Sequence, residues 1–315
     1  MTRSADLTAG CRLCPRECLN IPSEEQPGRC HVPRAAGFFR VARLMDHPWE
    51  EPYISGSKGS GTVFFSGCSL GCLFCQNEAI SHRAQGETMR SDQLLQAMED
   101  LAARQVHNLN LVTASHYGDH LSRLLPVLKQ RLKKRGRLIP VVWNSSAYEK
   151  TDMLAALADS ESVDVFLPDL KFFDPELSGR LAAAPDYFVR ASQAILAMHR
   201  LRPDHQFSDD GLLLRGLALR HLVLPGAWRD SLTLIDFIAA NLPPDTPVAL
   251  MRQYTPPTNA RLREQIGAIM PRLLHKVTSY EYDKVCEHAE KRGLKRLLFQ
   301  EPASADSRFT PDFTG

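Results

Sequence analysis

The sequence predicts an α/β protein, either a barrel of alternating strands and helices or an open doubly wound sheet. Three observations lead there. Short apolar runs alternate with amphipathic stretches of helical period from residue 58 onward, the pattern of strands each followed by a helix. Most of these runs are near-continuously apolar rather than alternating, as in parallel strands buried on both faces. The length, 315 residues, suits one large or two ordinary domains, and a chain of that size buries roughly 75% of its unfolded surface without disulfide staples.

Taken in order, residues 1–57 are rich in Cys, Pro, Arg and Gly and carry little periodic pattern. They read as a small module that a bound metal would hold together. Residues 58–300 carry the strand–helix pairs. "TVFFSG" (62–67) is the first strand, and "SDQLLQAMEDLAARQ" after it opens on Ser91 as N-cap with Leu94, Leu95, Met98 and Leu101 on one face. "LNLVT" (109–113) precedes a helix near 119–135, and "LIPVVWN" (138–144) one near 151–159. "VDVFLPDL" (163–170) leads to 187–200, "LALRHLVLP" (217–225) to 230–241, and "VALMRQY" (248–254) to 258–270 and 281–292. The basic run "KQRLKKRGR" (129–137) reads as a helix C-terminus capped by Gly136, where cations suit the macrodipole. The polar tail, 301–315, reads as disordered.

Composition removes several functions. A formal charge of +2 does not mark a nucleic-acid or membrane partner, and no apolar run reaches the roughly 18 residues of a membrane span. Leu7–Cys11 is a faint lipoprotein-like box without the apolar stretch of a signal peptide. The expectation is a cytoplasmic chain, where clustered thiols mean metal more often than disulfide.

Of eight cysteines, Cys286 reads as a small buried hydrophobe. Cys11, Cys14, Cys18 and Cys30 form C-x2-C-x3-C-x11-C, which suits a tetrahedral zinc or a second iron–sulfur cluster. A cluster there could relay electrons; zinc would fold the module. Cys68, Cys72 and Cys75 form C-x3-C-x2-C directly after the first strand, at the carboxyl end where barrels and open sheets place their chemistry. A closed structural zinc site wants four ligands, and a three-ligand catalytic zinc remains possible. Zinc deaminases pair their cysteines with an upstream H-x-E, whereas His288–Glu290 lies downstream. A c-type haem needs CxxCH, and Gln76 follows Cys75. A 4Fe-4S cluster takes one ligand per iron, so three thiolates leave one iron open to a small molecule.

With Phe74 just before its third cysteine, the triplet resembles the signature of the radical S-adenosylmethionine (SAM) superfamily. "CRLCPREC", "EEPYISGSKGSGTVFFSGC", "CQNEAIS", "NLNLVTASHY", "VDVFLPDLKFFD", "RHLVLPG" and "MRQYTP" further resemble pyruvate formate-lyase activating enzymes, within a group that carries an N-terminal cysteine module. The resemblance implies a partial (β/α)6, TIM-like barrel with a small Cys-rich metal-binding module in front. It implies an oxidoreductase in which a 4Fe-4S cluster on Cys68, Cys72 and Cys75 cleaves SAM to a 5′-deoxyadenosyl radical. That radical takes hydrogen from a protein, peptide or small molecule, a glycyl-radical activase being one form. Phe74 is placed on the adenine side. Asp169 and Lys171, in "PDLK", would address the methionine part or a nearby cation, and Arg220 the cofactor carboxylate. Asn144, with Ser145 and Ser146, would touch ribose or substrate. His116, Met251, Gln253 and Tyr254 are substrate-side candidates, and His221 faces the packing side of its strand. Reduced flavodoxin or ferredoxin is the expected electron donor. Two other readings remain at this stage: a non-catalytic iron–sulfur carrier or redox sensor, and a zinc-organised binding module.

Overall fold

A computed structural model describes the chain except residues 1–9, 19–22, 24, 34, 160, 306–310, 312 and 314–315. Its first strand lies in the stretch read as pattern-free. Strand β1 (Phe38–His47) pairs antiparallel with β2 (Ser60–Phe65) and with β3 (Glu87–Arg90). Phe39 and Val41 of β1 are buried, but the register shifts between Val41 and Arg43. A bulge of this kind breaks the period of two by which a strand is recognised in sequence.

Parallel to β2 run β4 (Leu109–Val112), β5 (Val141–Ser145) and β6 (Val165–Pro168), each beside the last. Every residue of these four strands is buried. Val63, Leu111, Trp143 and Phe166 stand in register across them and pack in the main core with the helices. Because side chains alternate, Thr62, Asn110, Val142 and Val165 point the other way, to the concave side. Two opposed faces, both covered, explain why the sequence shows continuous apolar runs.

Beyond β6 the wall changes partners. The hairpin of β7 (Gln206–Phe207) and β8 (Leu213–Leu217) adds to β6 through Phe166↔Leu217. After Ala218 the chain enters β9 (Leu219–Leu222), which pairs with β10 (Pro247–Met251), itself parallel to β11 (Arg296–Phe299). An Asp169↔Arg220 bridge joins the eight-stranded and three-stranded sheets. Gly216 makes the corner possible: its φ is +135°, and a Cβ there would strike His205.

Seven of the ten α-helices among the described residues fall where the sequence predicts them, and the first, second and sixth in chain order, four to eight residues long, are additional. Short α1 (Pro52–Ser55) and α2 (Glu78–Ser81) flank β2 and its loop; α3 (Ser91–Ala103), α4 (Gly118–Lys134) and α5 (Thr151–Asp159) follow β3, β4 and β5. Then come α6 (Pro175–Ala182), α7 (Tyr187–Leu201), α8 (Trp228–Asn241), α9 (Ala260–Ile269) and α10 (Ser279–Lys291). Ser91 is the first helical residue rather than the cap: its hydroxyl donates to Gly37 O, and Gln93 Oε1 accepts from the Arg90 N–H. Arg131, Lys133 and Lys134 fill the last turn of α4 before Gly136 at φ +66°. No helix among the described residues is long and apolar enough to cross a membrane. The tail expectation falls largely on residues outside the described set. Phe313, which is described, packs edge-on to Phe64 with ring centres 5.4 Å apart, so at that position the chain is held by an aromatic contact.

Candidate functional site

Strand β2 ends at Phe65, and the next ten residues form a loop built on two left-handed glycines, Gly67 (φ +84°) and Gly71 (φ +61°). Gly67 is required on steric grounds as well, since a Cβ would overlap the carbonyl oxygen of Cys30. Backbone bonds fix the rest. Gly67 N–H donates to Ile80 O at 2.7 Å, Leu73 N–H to Leu181 O at 2.9 Å, and Cys75 N–H to Cys72 O at 3.1 Å. His82 Nε2 lies 2.9 Å from Cys72 O. Gln76 Nε2 donates to Gln253 O at 2.7 Å and to Thr255 Oγ1 at 3.1 Å, tying the loop to the segment after β10.

The loop closes one end of a cavity of about 230 Å³. Cys68, Cys72 and Cys75 border it together with Phe74, and Asn144, Asp169, Lys171, Arg220 and Gln253 border it from the strand ends. Asn144, Asp169, Lys171 and Gln253 lie at or just beyond the carboxyl ends of their strands, and Arg220 is the second residue of β9, beside Asp169. Phe74 is buried, with Phe172 and Tyr254 at ring-centre distances of 5.8 and 6.3 Å.

Beneath the cavity is a charged network. Arg220 donates through Nε to Asp169 Oδ1 at 2.6 Å, through Nη1 to Glu50 Oε2 at 2.8 Å, and through Nη2 to Asn144 Oδ1 at 2.6 Å. Glu50 Oε1 also accepts from Asn110 and Asn144 at 3.0 and 3.2 Å, and Lys171 Nζ donates to Asp169 Oδ2 at 2.7 Å. Burial works to raise the Asp169 carboxyl, yet Arg220 and Lys171 hold it below the usual range. Glu51 Oε2 lies 3.9 Å from Arg220 and has no hydrogen bond; burial outweighs the arginine and pushes this carboxyl up to about 7. Engaged by three protein oxygens, Arg220 spans the cavity floor rather than offering an idle fork.

Two substrate-side candidates lie elsewhere. Tyr254 is fully buried and donates its hydroxyl to Leu273 O at 2.6 Å, so it backs Phe74 instead of lining the cavity. His116 is buried behind the loop with Nε2 2.9 Å from Ser66 O, because the helical turn after β4 rotates it outward. Burial lowers its pKa to about 4. His221, as expected, packs away from the cavity, against Leu170 O and Ser231 Oγ. Met251, a further candidate, does border the cavity. Sequence reasoning passed over Glu50, Glu51 and the tethering role of Gln76. Both carboxylates open the stretch "EEPYISGSKGSGTVFFSGC", but they meet Arg220 only through the fold.

The thiols suit an iron–sulfur cluster. Burial raises Cys72 and Cys75, with the Lys171 cation opposing at Cys72. A buried thiol becomes a thiolate only when positive charge, such as a metal, compensates. Among the described residues, no three His, Cys, Asp or Glu side chains close around a single ion; the three thiols border a space instead. The four N-terminal cysteines border a separate cavity that also touches His116. Cys286 is half-buried, with its thiol pushed up to about 11 by burial.

Comparison with known proteins gives the chain a family. The Radical SAM superfamily profile matches residues 62–221, from β2 through β9. A relative from Methanocaldococcus jannaschii, uncharacterized protein MJ0674, is 30% identical over 292 residues, which is 90% of this chain and 75% of the relative. Among solved structures, Streptococcus suis SuiB is similar at 14% identity and TM-score 0.46, over 76% of this chain and 47% of its own. Native anSMEcpe with bound AdoMet is similar at 10% identity and TM-score 0.45, over 72% and 57%; the chain thus spans about half the length of these two. The matched segment runs from the strand that carries the three-cysteine loop to the strand that carries Arg220, and by that match this chain belongs to the Radical SAM superfamily.

Proposed function

We propose that the chain is a SAM-cleaving radical enzyme of the pyruvate formate-lyase activating type, acting on a protein, peptide or small molecule. The observation that carries this is the loop itself: three thiols and no fourth, bordering a cavity whose far wall is the polar strand ends. When bound on Cys68, Cys72 and Cys75, a 4Fe-4S cluster with one open iron supplies the electron that splits SAM into methionine and a 5′-deoxyadenosyl radical.

The chain's own residues bind, orient and exclude water. Phe74, held by Phe172 and Tyr254, offers an apolar surface for adenine. Lys171, beside both Asp169 and Cys72, places a cation next to the thiolates and within reach of a carboxylate. Asp169 and Glu50, aligned by Arg220, give the cavity floor a fixed negative side that suits an ammonium group or sulfonium. The Asn77 amide acts on the Cys75 thiol and lowers its pKa, the kind of contact that tunes such centres. Reduced flavodoxin or ferredoxin fits as donor for a low-potential step, and hydrogen leaves the substrate at whatever group enters beside Met251 and Gln253.

The test is anaerobic reconstitution followed by reduction with SAM present. Wild type should release 5′-deoxyadenosine and Cys72→Ala should lower that rate at least about 100-fold. Equal rates in the two proteins would sink the proposal.

A further inference from the structure

The chain builds a three-cysteine loop twice. Cys11, Cys14 and Cys18 span eight residues, as do Cys68, Cys72 and Cys75, with the two spacings in reverse order. In each loop the middle thiol is the buried one, Cys14 at 8% and Cys72 at 7% exposure, with half-buried neighbours. Cys11 N–H donates to Cys18 O at 2.9 Å and closes the first loop on itself. Cys30 then supplies what the second loop lacks: all four thiols border one cavity whose remaining wall is mostly apolar, with Leu13, Val32 and Tyr117.

That cavity backs onto the other loop. The carbonyl of Cys30 fills the place a side chain on Gly67 would take, and Gly67 is one peptide, about 3.8 Å, from Cys68. Arg16, between Cys14 and Cys18, donates through Nε to Ser69 O at 2.8 Å and through Nη2 to Leu70 O at 3.0 Å. Arg29, beside Cys30, lies over Gly71 and feels the Cys68 and Cys72 thiols. The N-terminal segment therefore holds residues 67–71 of the second loop through Arg16, Arg29 and Cys30.

We propose that Cys11, Cys14, Cys18 and Cys30 hold a fully cysteine-ligated 4Fe-4S cluster that passes single electrons to the cluster on Cys68, Cys72 and Cys75. With every iron ligated by protein, no corner is open to a small molecule, so the site suits electron transfer rather than substrate binding. A low-potential one-electron carrier protein reduces it at the partly exposed Cys11 and Cys18 side. It is reoxidised as the second cluster takes the electron; no bond forms or breaks. Arg16 and Arg29 offset the thiolate charge between the two sites. The relay rests on the functional reading above; the metal assignment stands without it.

Iron, acid-labile sulfide and zinc are counted on anaerobically purified protein. Wild type should hold about eight irons, and the Cys68→Ala/Cys72→Ala/Cys75→Ala variant about four with matching sulfide. A triple variant that folds, by circular dichroism, with zinc alone or with no metal overturns the cluster. So does a Cys30→Ala variant, chosen because it leaves the backbone carbonyl in place, that keeps the wild-type iron count. For the relay, Cys30→Ala should make 5′-deoxyadenosine with dithionite within about 2-fold of wild type but fall at least about 10-fold with reduced flavodoxin. Equal losses with both reductants, or none with flavodoxin, overturn it. If wild type makes no 5′-deoxyadenosine with either reductant, the functional reading and the relay fall together, while the iron count still decides the site.

Discussion

At Glu51 a carboxyl sits buried with Oε2 free of any hydrogen bond, 3.9 Å from an arginine already engaged by Asp169, Glu50 and Asn144. Its pKa is raised from the ordinary 4.5 to about 7. A raised acid stabilises the fold most while protonated, below its unfolded pKa, and loses that contribution as pH climbs through the folded value. The loss should therefore run between about pH 4.5 and 7, with a magnitude on the order of 3 kcal/mol. Glu51→Gln should match wild type in denaturant stability near pH 5 and exceed it near pH 8; a constant difference across that range would show that Glu51 stays ionised. This chemistry was not legible in the sequence. Asp169 and Lys171 could be picked out because they follow an apolar strand, and Arg220 by its place in "RHLVLPG", but Glu50 reaches Arg220 across 170 positions. No local pattern encodes that meeting.

At the level of elements, the strands that form the parallel wall were legible because burial on both faces leaves an unbroken apolar run. Strand β1 was not, because a bulge and its half-exposed arginines hide the alternation. The turn after β5 was also invisible. There Glu149 accepts from Trp143 Nε1 and Ser115 Oγ at 2.7 Å each, and from Ser145 Oγ at 2.8 Å. Burial raises this carboxyl against the pull of those three donors. It pins the ends of β4 and β5 together beneath the cavity wall that Ser145 and Ser146 border. Glu149→Ala strands three buried donors, which should lower unfolding free energy by about 3 kcal/mol or more, with Glu149→Gln losing less. Chemical denaturation of the two variants beside wild type checks the ranking.

For the whole molecule, the sequence disclosed that a cysteine-rich segment precedes the barrel but not where it docks. Arg16 answers that. Its guanidinium reaches Ser69 O, Leu70 O, Ala182 O and Ala183 O, and lies 5.0 Å from the Tyr148 ring centre. It thus clamps the three-cysteine loop against the end of α6. Arg16→Ala should cost about 3 kcal/mol and speed iron loss from the anaerobic protein. Arg16→Lys should rescue only part of both, because a single ammonium cannot reproduce the fork. Unchanged iron retention in the alanine variant would free the loop from this clamp.

The same clamp sets a schedule for biosynthesis. Arg16 leaves the ribosome before its partner Ala183, which follows 167 positions later. At ordinary elongation speeds that interval is on the order of ten to thirty seconds, during which Arg16 lacks the α6 half of its clamp. Oxygen stress during translation should therefore scar Cys11, Cys14 and Cys18 before it reaches the barrel.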